Sequence, residues 1–407
     1  MPVKLNLIPE PALRPKPPVR SRWLKGLAGI LVTGALWAWF SGLPVKSVEF
    51  WLVSVGIPVL LWLAVAWCRE MVYLLGQIQI NAWDKHREDA ILQAVRRGRR
   101  TLQILYGTYI TALSSPEERF RFPSAEAFFQ HESALRAQTS WQGGGNTRHS
   151  RIIPTDISPD VFLSQIFADL LPALAVSLGQ YPDEQSVTVL FEADTSVSSQ
   201  RVRDLWRDVW QKNGIRQQLE YIEGHGLTAI DRWLDNRIRE NTLLLVVALQ
   251  IAPENPDGSA EAVTALLLGN RLTQNTLTPF ALLHRPEQSV PDTLAENITQ
   301  AMDWGPVQPE DVHHLWRAGL SVSGQKAIAA LNGLSPLQGV DMNTAQYDID
   351  TALGQAGCAA PWLAIAVATQ AAVKMQENQL IISGEQNGTV MWSTVITPYL
   401  SGKENHN

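Results

Sequence analysis

Between residues 222 and 230 the chain reads IEGHGLTAI, which puts Glu223 two residues before His225 and His225 between two glycines. A carboxylate and an imidazole so placed could work as an acid–base pair. The same run also suits a tight strand-to-helix turn, in which the glycines serve the backbone and neither side chain does chemistry. His313 and His314 are adjacent in sequence. They lack both the i,i+4 spacing and the acidic companions of a metal site, and in a strand one of them faces away from the other, so we expect no metal there. Cys358 stands beside Ala359 and Ala360. That is the setting of a small buried apolar residue, because a reactive thiolate needs electropositive surroundings. No P-loop, no G-x-G-x-x-G after a strand and no G-x-S-x-G occurs, and no cofactor is expected.

The elements that must position these residues are legible from about residue 152 onward, where strands and helices alternate. Ser186–Glu192, Gln218–Ile222, Thr242–Ile251, Ala262–Leu268, Val312–Trp316, Leu380–Ser383 and Thr389–Thr397 read as strands. Ser199–Asn213, Leu227–Glu240, Pro291–Asp303, Gly324–Asn332 and Ala359–Lys374 read as helices. TLLLVVALQI, from Thr242, is nearly continuously apolar, the mark of a strand covered on both faces. Such alternation predicts a layered α/β domain around a buried sheet.

Three segments carry a resemblance. IEGHGLTAI, with the helix and the apolar strand after it, resembles the nucleophile turn, buried helix and next strand of a β-ketoacyl synthase. PEDVHHLWRAGLS, Pro309–Ser321, resembles the synthase segment ending in a histidine–glycine turn. DIDTALGQAGCAAPWLAIAVATQAAV, Asp348–Val373, resembles the segment in which a histidine precedes a glycine-rich helix start, and SGEQNGTVMWSTVI resembles the closing turn and strands. The resemblance implies a reduced thiolase-like α/β domain that pairs with a second copy through a strand. In that family a cysteine attacks an acyl thioester while two histidines assist. Laid on these segments, the nucleophile position falls on Glu223 and the two histidine positions on Ala318 and Thr351. None keeps the chemistry, which implies a retired active site. The domain is also shorter than a full synthase, and no convincing first strand precedes Ser186.

The N-terminal quarter has a different character. Gly26–Leu43 and Phe50–Cys68 are uncharged runs of eighteen and nineteen residues. As helices they would measure roughly 27–29 Å, about the thickness of a bilayer's hydrocarbon. Trp23, Trp37, Trp39, Trp51 and Trp67 lie at or near their ends, where indoles favour the headgroup level. Pro58, inside the second run, is tolerated in a membrane helix. The reading is a transmembrane hairpin turning over Ser41–Glu49. Lys4, Arg14, Lys16, Arg20, Arg22 and Lys25 precede it, one basic residue (Lys46) lies in the turn, and Arg69, Lys85, Arg87 and RRGRR (Arg96–Arg100) follow. That bias places both termini in the cytoplasm; a bacterial inner membrane is implied only by the layout's similarity to secretion-system accessory proteins. The Pro-rich arm before the first run reads as an extended linker.

Glu70–Leu113 reads as one basic helix with an apolar stripe at Ile91, Val95, Leu102, Leu105 and Tyr109. Its arginines begin too far from the bilayer exit to reach headgroups and are assigned to solvent or a protein partner. Helices are also read at Ser115–Glu118 and Ser124–Arg136, and WQGGGN (Trp141–Asn146) is the expected boundary. The expected organisation is thus an arm over 1–22, the transmembrane hairpin over 23–69, basic helix and linker over 70–150, and the thiolase-like domain over 151–407.

Composition bounds the rest. A 407-residue chain that is 45% hydrophobic is no disordered protein. Two cysteines exclude a disulfide scaffold, and a net charge of −6 argues against nucleic acid as a partner. The function expected is therefore a membrane-tethered, non-catalytic scaffold that binds the lipid bilayer and a protein partner, with a homodimer as one form. The layout is similar to accessory inner-membrane proteins of type VI-like secretion systems, whose partner would be a secretion component or effector. Two alternatives stay open: an enzyme acting on acyl or lipid substrates through Glu223 and His225, and a sensor of acyl-CoA or acyl carrier.

Overall fold

The computed structural model of the chain describes residues 8–114, 125–143, 145–153, 157–275, 277–385 and 388–399. They form two compact units, Lys4–Val95 and Arg96–Asn407.

In the first unit, helix α1 is Arg20–Phe40. A short helical turn, Val48–Trp51, leads through a π-turn at Leu52–Gly56 into α2, Ile57–Gly98. The π-turn sits immediately before Pro58, which has no N–H to give and whose ring crowds the preceding turn; widening that turn absorbs both effects. Trp62 Nε1 donates to the Trp23 carbonyl at 2.9 Å. Gly34 lies against Pro58, where a Cβ would approach the ring to 2.7 Å. Four helices are long and apolar enough to cross a membrane. Two of them, Pro159–Leu178 and Gly357–Met375, bury much of their surface in the folded core, whereas Arg20–Phe40 and Val48–Gly98 leave nearly all of theirs exposed. Length and apolarity admit all four; unpaid apolar exposure singles out two.

The second unit begins with a correction to the long basic helix. That helix stops at Gly98, and Leu102–Thr111 is a strand, β1, with every residue buried. Gly98 ends the helix in a place with no room for a side chain, since a Cβ would fall 2.4 Å from the Trp304 ring. The spacing of Leu102, Leu105 and Tyr109 mimics a helix only because a strand buried on both faces shows no alternation. The compact unit thus starts at Arg96, well before WQGGGN. That stretch instead turns a small hairpin, Arg136–Thr139 with Asn146–His149. The helix read over Ser124–Arg136 shrinks to Glu126–Phe129, and that read at Ser115–Glu118 lies outside the described residues.

After β1 come α3 (Pro159–Leu178), β2 (Val187–Thr195), α4 (Ser199–Lys212), β3 (Leu219–Ile222), α5 (Gly226–Asn236), β4 (Leu243–Ile251) and β5 (Ala262–Asn270). The order then repeats with β6 (Ala281–Leu283), α6 (Leu294–Trp304), β7 (Val312–Ala318), α7 (Val322–Ala330), β8 (Gln346–Asp348), α8 (Ala360–Met375), β9 (Asn378–Gly384) and β10 (Met391–Pro398). Apart from a short strand, Glu287–Ser289, which also pairs with β10, and the short helix Ile349–Leu353 in the second half, each half is β-α-β-α-β-α-β-β. Across the sheet the first half runs β3-β2-β4-β5-β1 and the second β8-β7-β9-β10-β6, so both follow third, second, fourth, fifth, first. In each the fifth strand is antiparallel to its neighbours and the others pair in parallel. β1 and β6 join the halves, Leu102 opposite Leu283. Pairs of parallel strands require crossover helices, which explains the alternation read from the sequence.

Helix α8 lies at the centre. Twelve of its sixteen residues are buried, most of them alanine, valine or isoleucine. It touches strands of both halves and α5. Small side chains let backbones approach on every side, so a helix apolar all round belongs inside a protein this size.

Candidate functional site

The turn between β3 and α5 places the residues first singled out. His225 is the N-cap residue of α5 in extended conformation, and Gly226 begins the helix at φ +51°. Glu223 is exposed and lines none of the cavities described below. The pairing of Glu223 with His225 is not what forms. The carboxylate facing the turn is Glu192, on β2: its Oε1 accepts from Gly226 N at 3.0 Å and its Oε2 lies 4.0 Å from His225 Nδ1. The physical reason is the helix start. Free N–H groups at the first turn of α5 attract a carboxylate, and β2 is the neighbouring strand that supplies one. Trp362 Nε1, from α8, holds the same Glu192 Oε1 at 2.8 Å. Burial pushes the Glu192 carboxyl up, against those two hydrogen bonds. The His225 side chain is 97% exposed, so it is held loosely at the rim.

α5 is fixed at its far end as well. Arg100 Nη1 donates to the carbonyls of Leu234 at 2.9 Å and Asp235 at 3.3 Å, a cation on the negative end of the helix. Arg97 also binds Asp235, through Nε at 2.7 Å and through Nη2. The basic run is therefore not all left to solvent or a partner, since two of its arginines are used inside the fold. Fully buried Arg285 bridges Asp231 at 2.5 Å and Asp235 at 2.7 Å.

Around His225 lies a cavity of about 440 Å³ lined by Glu192, Asp194, Ser199, Arg203 and Cys358 among others. Cys358, expected merely as a small buried residue, shares this wall with the imidazole. Its Sγ donates to the Leu249 carbonyl at 3.4 Å. Burial, with the charges of Glu192 and Asp194, pushes the thiol up to about 12. Thiolate is then about a thousandfold scarcer than for a cysteine at the ordinary value of 9.0. In a Cys68→Ser variant, iodoacetamide at pH 8 should label Cys358 roughly a thousandfold more slowly than free cysteine; a comparable rate would show that the thiol is activated.

A larger cleft, of about 650 Å³, opens beyond the C-terminal ends of β2, β4, β7 and β9 and is lined from both halves. Its walls include Asp194, Gln250, Glu254, Asp257, Gly319, Ser321, Gln355, Gly357 and Glu385. Strand ends beside a change of connection are where open α/β sheets take ligands. Ala318, one of the positions laid on a histidine, ends β7 buried, one residue before the cleft-lining Gly319. Thr351 is exposed in the short helix Ile349–Leu353, its N–H bound to Asp348 Oδ1 at 3.2 Å. Glu223, Ala318 and Thr351 are thus not gathered in one cavity. The turn at Gly319 (φ +65°) presses on Gly384, where a Cβ would come within 2.0 Å of the Gly319 carbonyl oxygen.

Asp350 accepts from Gly319 N through both oxygens, at 2.8 and 3.1 Å. Burial, opposed by that N–H and helped by Asp348, pushes its carboxyl up to about 6. A raised carboxylate favours the fold when protonated. Its contribution is complete below 3.8 and lost as pH rises through about 6. Between those limits the wild type should lose about 3 kcal/mol relative to Asp350→Asn, read from denaturant unfolding of both at several pH values. Parallel pH profiles would remove this assignment.

The adjacent histidines have structural partners. His314 Nε2 meets Glu377 Oε2 at 2.8 Å and its ring stacks near Tyr347, while His313 is exposed. Among the described residues no three His, Cys, Asp or Glu side chains gather as a metal site. Glu192, Asp194, Gln250 and Asp350 were all missed by sequence reading. Asp194 and Gln250 stand near the ends of β2 and β4, Glu192 lies three residues inside β2 and Asp350 just past β8, and the sheet order is what sets Glu192 and Asp194 on one cavity wall and Asp194 and Gln250 on the other.

No family model and no curated protein matches the chain. Solved structures do resemble it in part. The ishigamide ketosynthase/chain length factor matches at 14% identity and TM-score 0.49, over 74% of this chain and 100% of the other. Human mitochondrial 3-ketoacyl-CoA thiolase matches at 10% and 0.47, over 74% and 99%. The peroxisomal 3-ketoacyl-CoA thiolase of Saccharomyces cerevisiae, described as five-layered and built from two core domains of identical topology, matches at 11% and 0.44, over 74% and 99%. The chemistry of the site rests on this chain's own residues.

Proposed function

We propose that Arg96–Asn407 is a thiolase-like module without condensing chemistry, which holds a protein partner at a membrane to which the two exposed apolar helices tether it. The tandem β-α-β-α-β-α-β-β halves and the three synthase-like segments support the first part. What supports the second is the setting of Cys358: burial and the charges of Glu192 and Asp194 push its thiol up, where thioester exchange needs a thiolate. At the positions laid on the family's catalytic residues stand an exposed Glu223, a buried Ala318 and an exposed Thr351. The helices Arg20–Phe40 and Val48–Gly98 form the membrane hairpin of this reading, with basic residues outside it and both termini cytoplasmic. The combined layout suits a scaffold or adaptor of a bacterial, type VI-like secretion apparatus. The full chain in neutral detergent should neither condense nor hydrolyse acyl-CoA, and mild cross-linking in membranes should trap a protein partner. Turnover that disappears in His225→Ala would overturn the non-catalytic reading.

One observation favours a second reading. Glu192 and His225 stand 4.0 Å apart on a cavity wall, and a buried carboxyl raised by its surroundings is suited to carry a proton in an acid–base enzyme on an acyl or lipid substrate. In that case Glu192→Gln, with the fold retained, would abolish turnover that the wild type displays.

A further inference from the structure

In the first unit, where the Pro-rich arm meets α1 and α2, a groove has a cationic end and an apolar end. One part, of about 460 Å³, is lined by Pro17, Pro18, Arg20, Arg69, Glu70 and Tyr73 among others. The other, of about 540 Å³, is lined by Arg22, Gly26, Ile30, Leu61 and Val65. Trp23 and Trp62 stand in the wall of both, so one part continues into the other. The lining falls four residues apart along each helix. On α1 it steps through Arg22, Gly26 and Ile30, and on antiparallel α2 through Arg69, Val65 and Leu61. That spacing keeps to one face of each helix, and it runs about 12 Å from the arginines into the uncharged stretches.

The cationic end is built for an anion. Arg20, Arg22 and Arg69 stand against one lining acid, Glu70, and none of the three arginines forms an ion pair with a described residue. Helix α1 starts at Arg20 with no side-chain cap and no acid in its first turn, so its free N–H groups add to the positive field. Tyr73 Oη accepts from Gln77 Nε2 at 2.6 Å and keeps its own proton to give. The arm that forms the outer wall is laid along α2. Arg87 Nε donates to the Pro9 carbonyl at 2.7 Å, the Ala12 N–H to Asp84 Oδ1 at 3.4 Å, and Pro15 lies over Gly76, 3.7 Å from where a Cβ would sit. At the apolar end Gly26 leaves the groove open, with nothing within 4 Å of a Cβ placed there.

We infer that this groove seats one anionic phospholipid, its phosphate against Arg20, Arg22 and Arg69 and the first part of an acyl chain along Gly26, Ile30, Leu61 and Val65. Free phosphate would leave the apolar end empty. A zwitterionic lipid would bring a cation of its own to three arginines. This lipid site rests on the membrane tether proposed above and deepens it, giving the headgroup's charge and its place on the hairpin.

The test reconstitutes the full chain into phosphatidylcholine vesicles with increasing shares of a brominated lipid, either phosphatidylglycerol or phosphatidylcholine. Bromine quenches nearby tryptophan, and Trp23 and Trp62 stand in the groove. Quenching should reach half its limit at about a tenfold lower share of the brominated phosphatidylglycerol. Arg69→Gln should cut that preference about fivefold. Lys25→Gln removes the same charge from an exposed position that lines neither part of the groove, and should leave the preference unchanged. Gly26→Leu fills the open end with every charge in place and should weaken the preference too. Equal quenching by the two lipids would overturn the site. So would a loss in Lys25→Gln as large as in Arg69→Gln, the mark of surface attraction alone, or a preference untouched by both Arg69→Gln and Gly26→Leu. A chain that enters vesicles of neither composition would sink the tether, and the site with it.

Discussion

Replacing Arg285 with alanine is expected to cost about 3–5 kcal/mol, the range for removing one partner of a buried ion pair. Arg285 is fully buried, and Asp231 and Asp235 both depend on it. Its loss leaves Asp231 in a 3%-exposed site facing a second carboxylate. Arg97 and Arg100 remain to serve Asp235, so the damage falls chiefly on Asp231. Arg97→Ala should cost less than about 1 kcal/mol, because that arginine is well exposed and solvent screens it. Chemical unfolding of both variants in neutral detergent, followed by tryptophan fluorescence, reads the contrast, and equal losses would contradict it. The pH dependence has a definite sign. Burial alone would raise the Asp235 carboxyl, but hydrogen bonds and charge from Arg97 and Arg285 hold it well below its ordinary 3.8. The stability it supplies is present above that value and falls away as pH drops through and below it.

The second large effect is at the centre of the module. Trp362 of α8 is fully buried and is one of its largest side chains, and its indole N–H also fixes Glu192. Trp362→Ala should lose about 3–5 kcal/mol, the usual range for truncating a buried aromatic. Trp362→Phe separates packing from hydrogen bonding: it keeps most of the volume and takes one of the two hydrogen bonds from Glu192 Oε1, for a loss of about 1 kcal/mol. If phenylalanine were as costly as alanine, the ring's packing would contribute little and the Glu192 bond would dominate.

Much of this protein was legible in its sequence. The two uncharged runs, the apolar strand at 243–251, the alternation after residue 186 and the Ala-rich helix at 360–375 all announce themselves. Each is governed by local rules: a helix or strand whose environment is uniform shows it in its own composition.

What only tertiary structure decided is anything that depends on which strand lies beside which. β1 reads as helix because both its faces are buried, so its alternation vanishes; its place in the middle of the sheet is fixed by β5 and β6, more than 150 residues downstream. The repeat of strand order in the two halves leaves no trace at the level of residues, since many sequences satisfy one topology. The site follows the same logic. Glu223 and His225 are neighbours in the chain, but Glu223 is exposed and the carboxylate beside His225 is another. Glu192, over 30 residues earlier, meets the start of α5 across the sheet. Gln250 and Gln355, a hundred residues apart, shape one cleft. Chemistry between distant residues is set by the order in which strands assemble, and that order is a property of the packed chain as a whole.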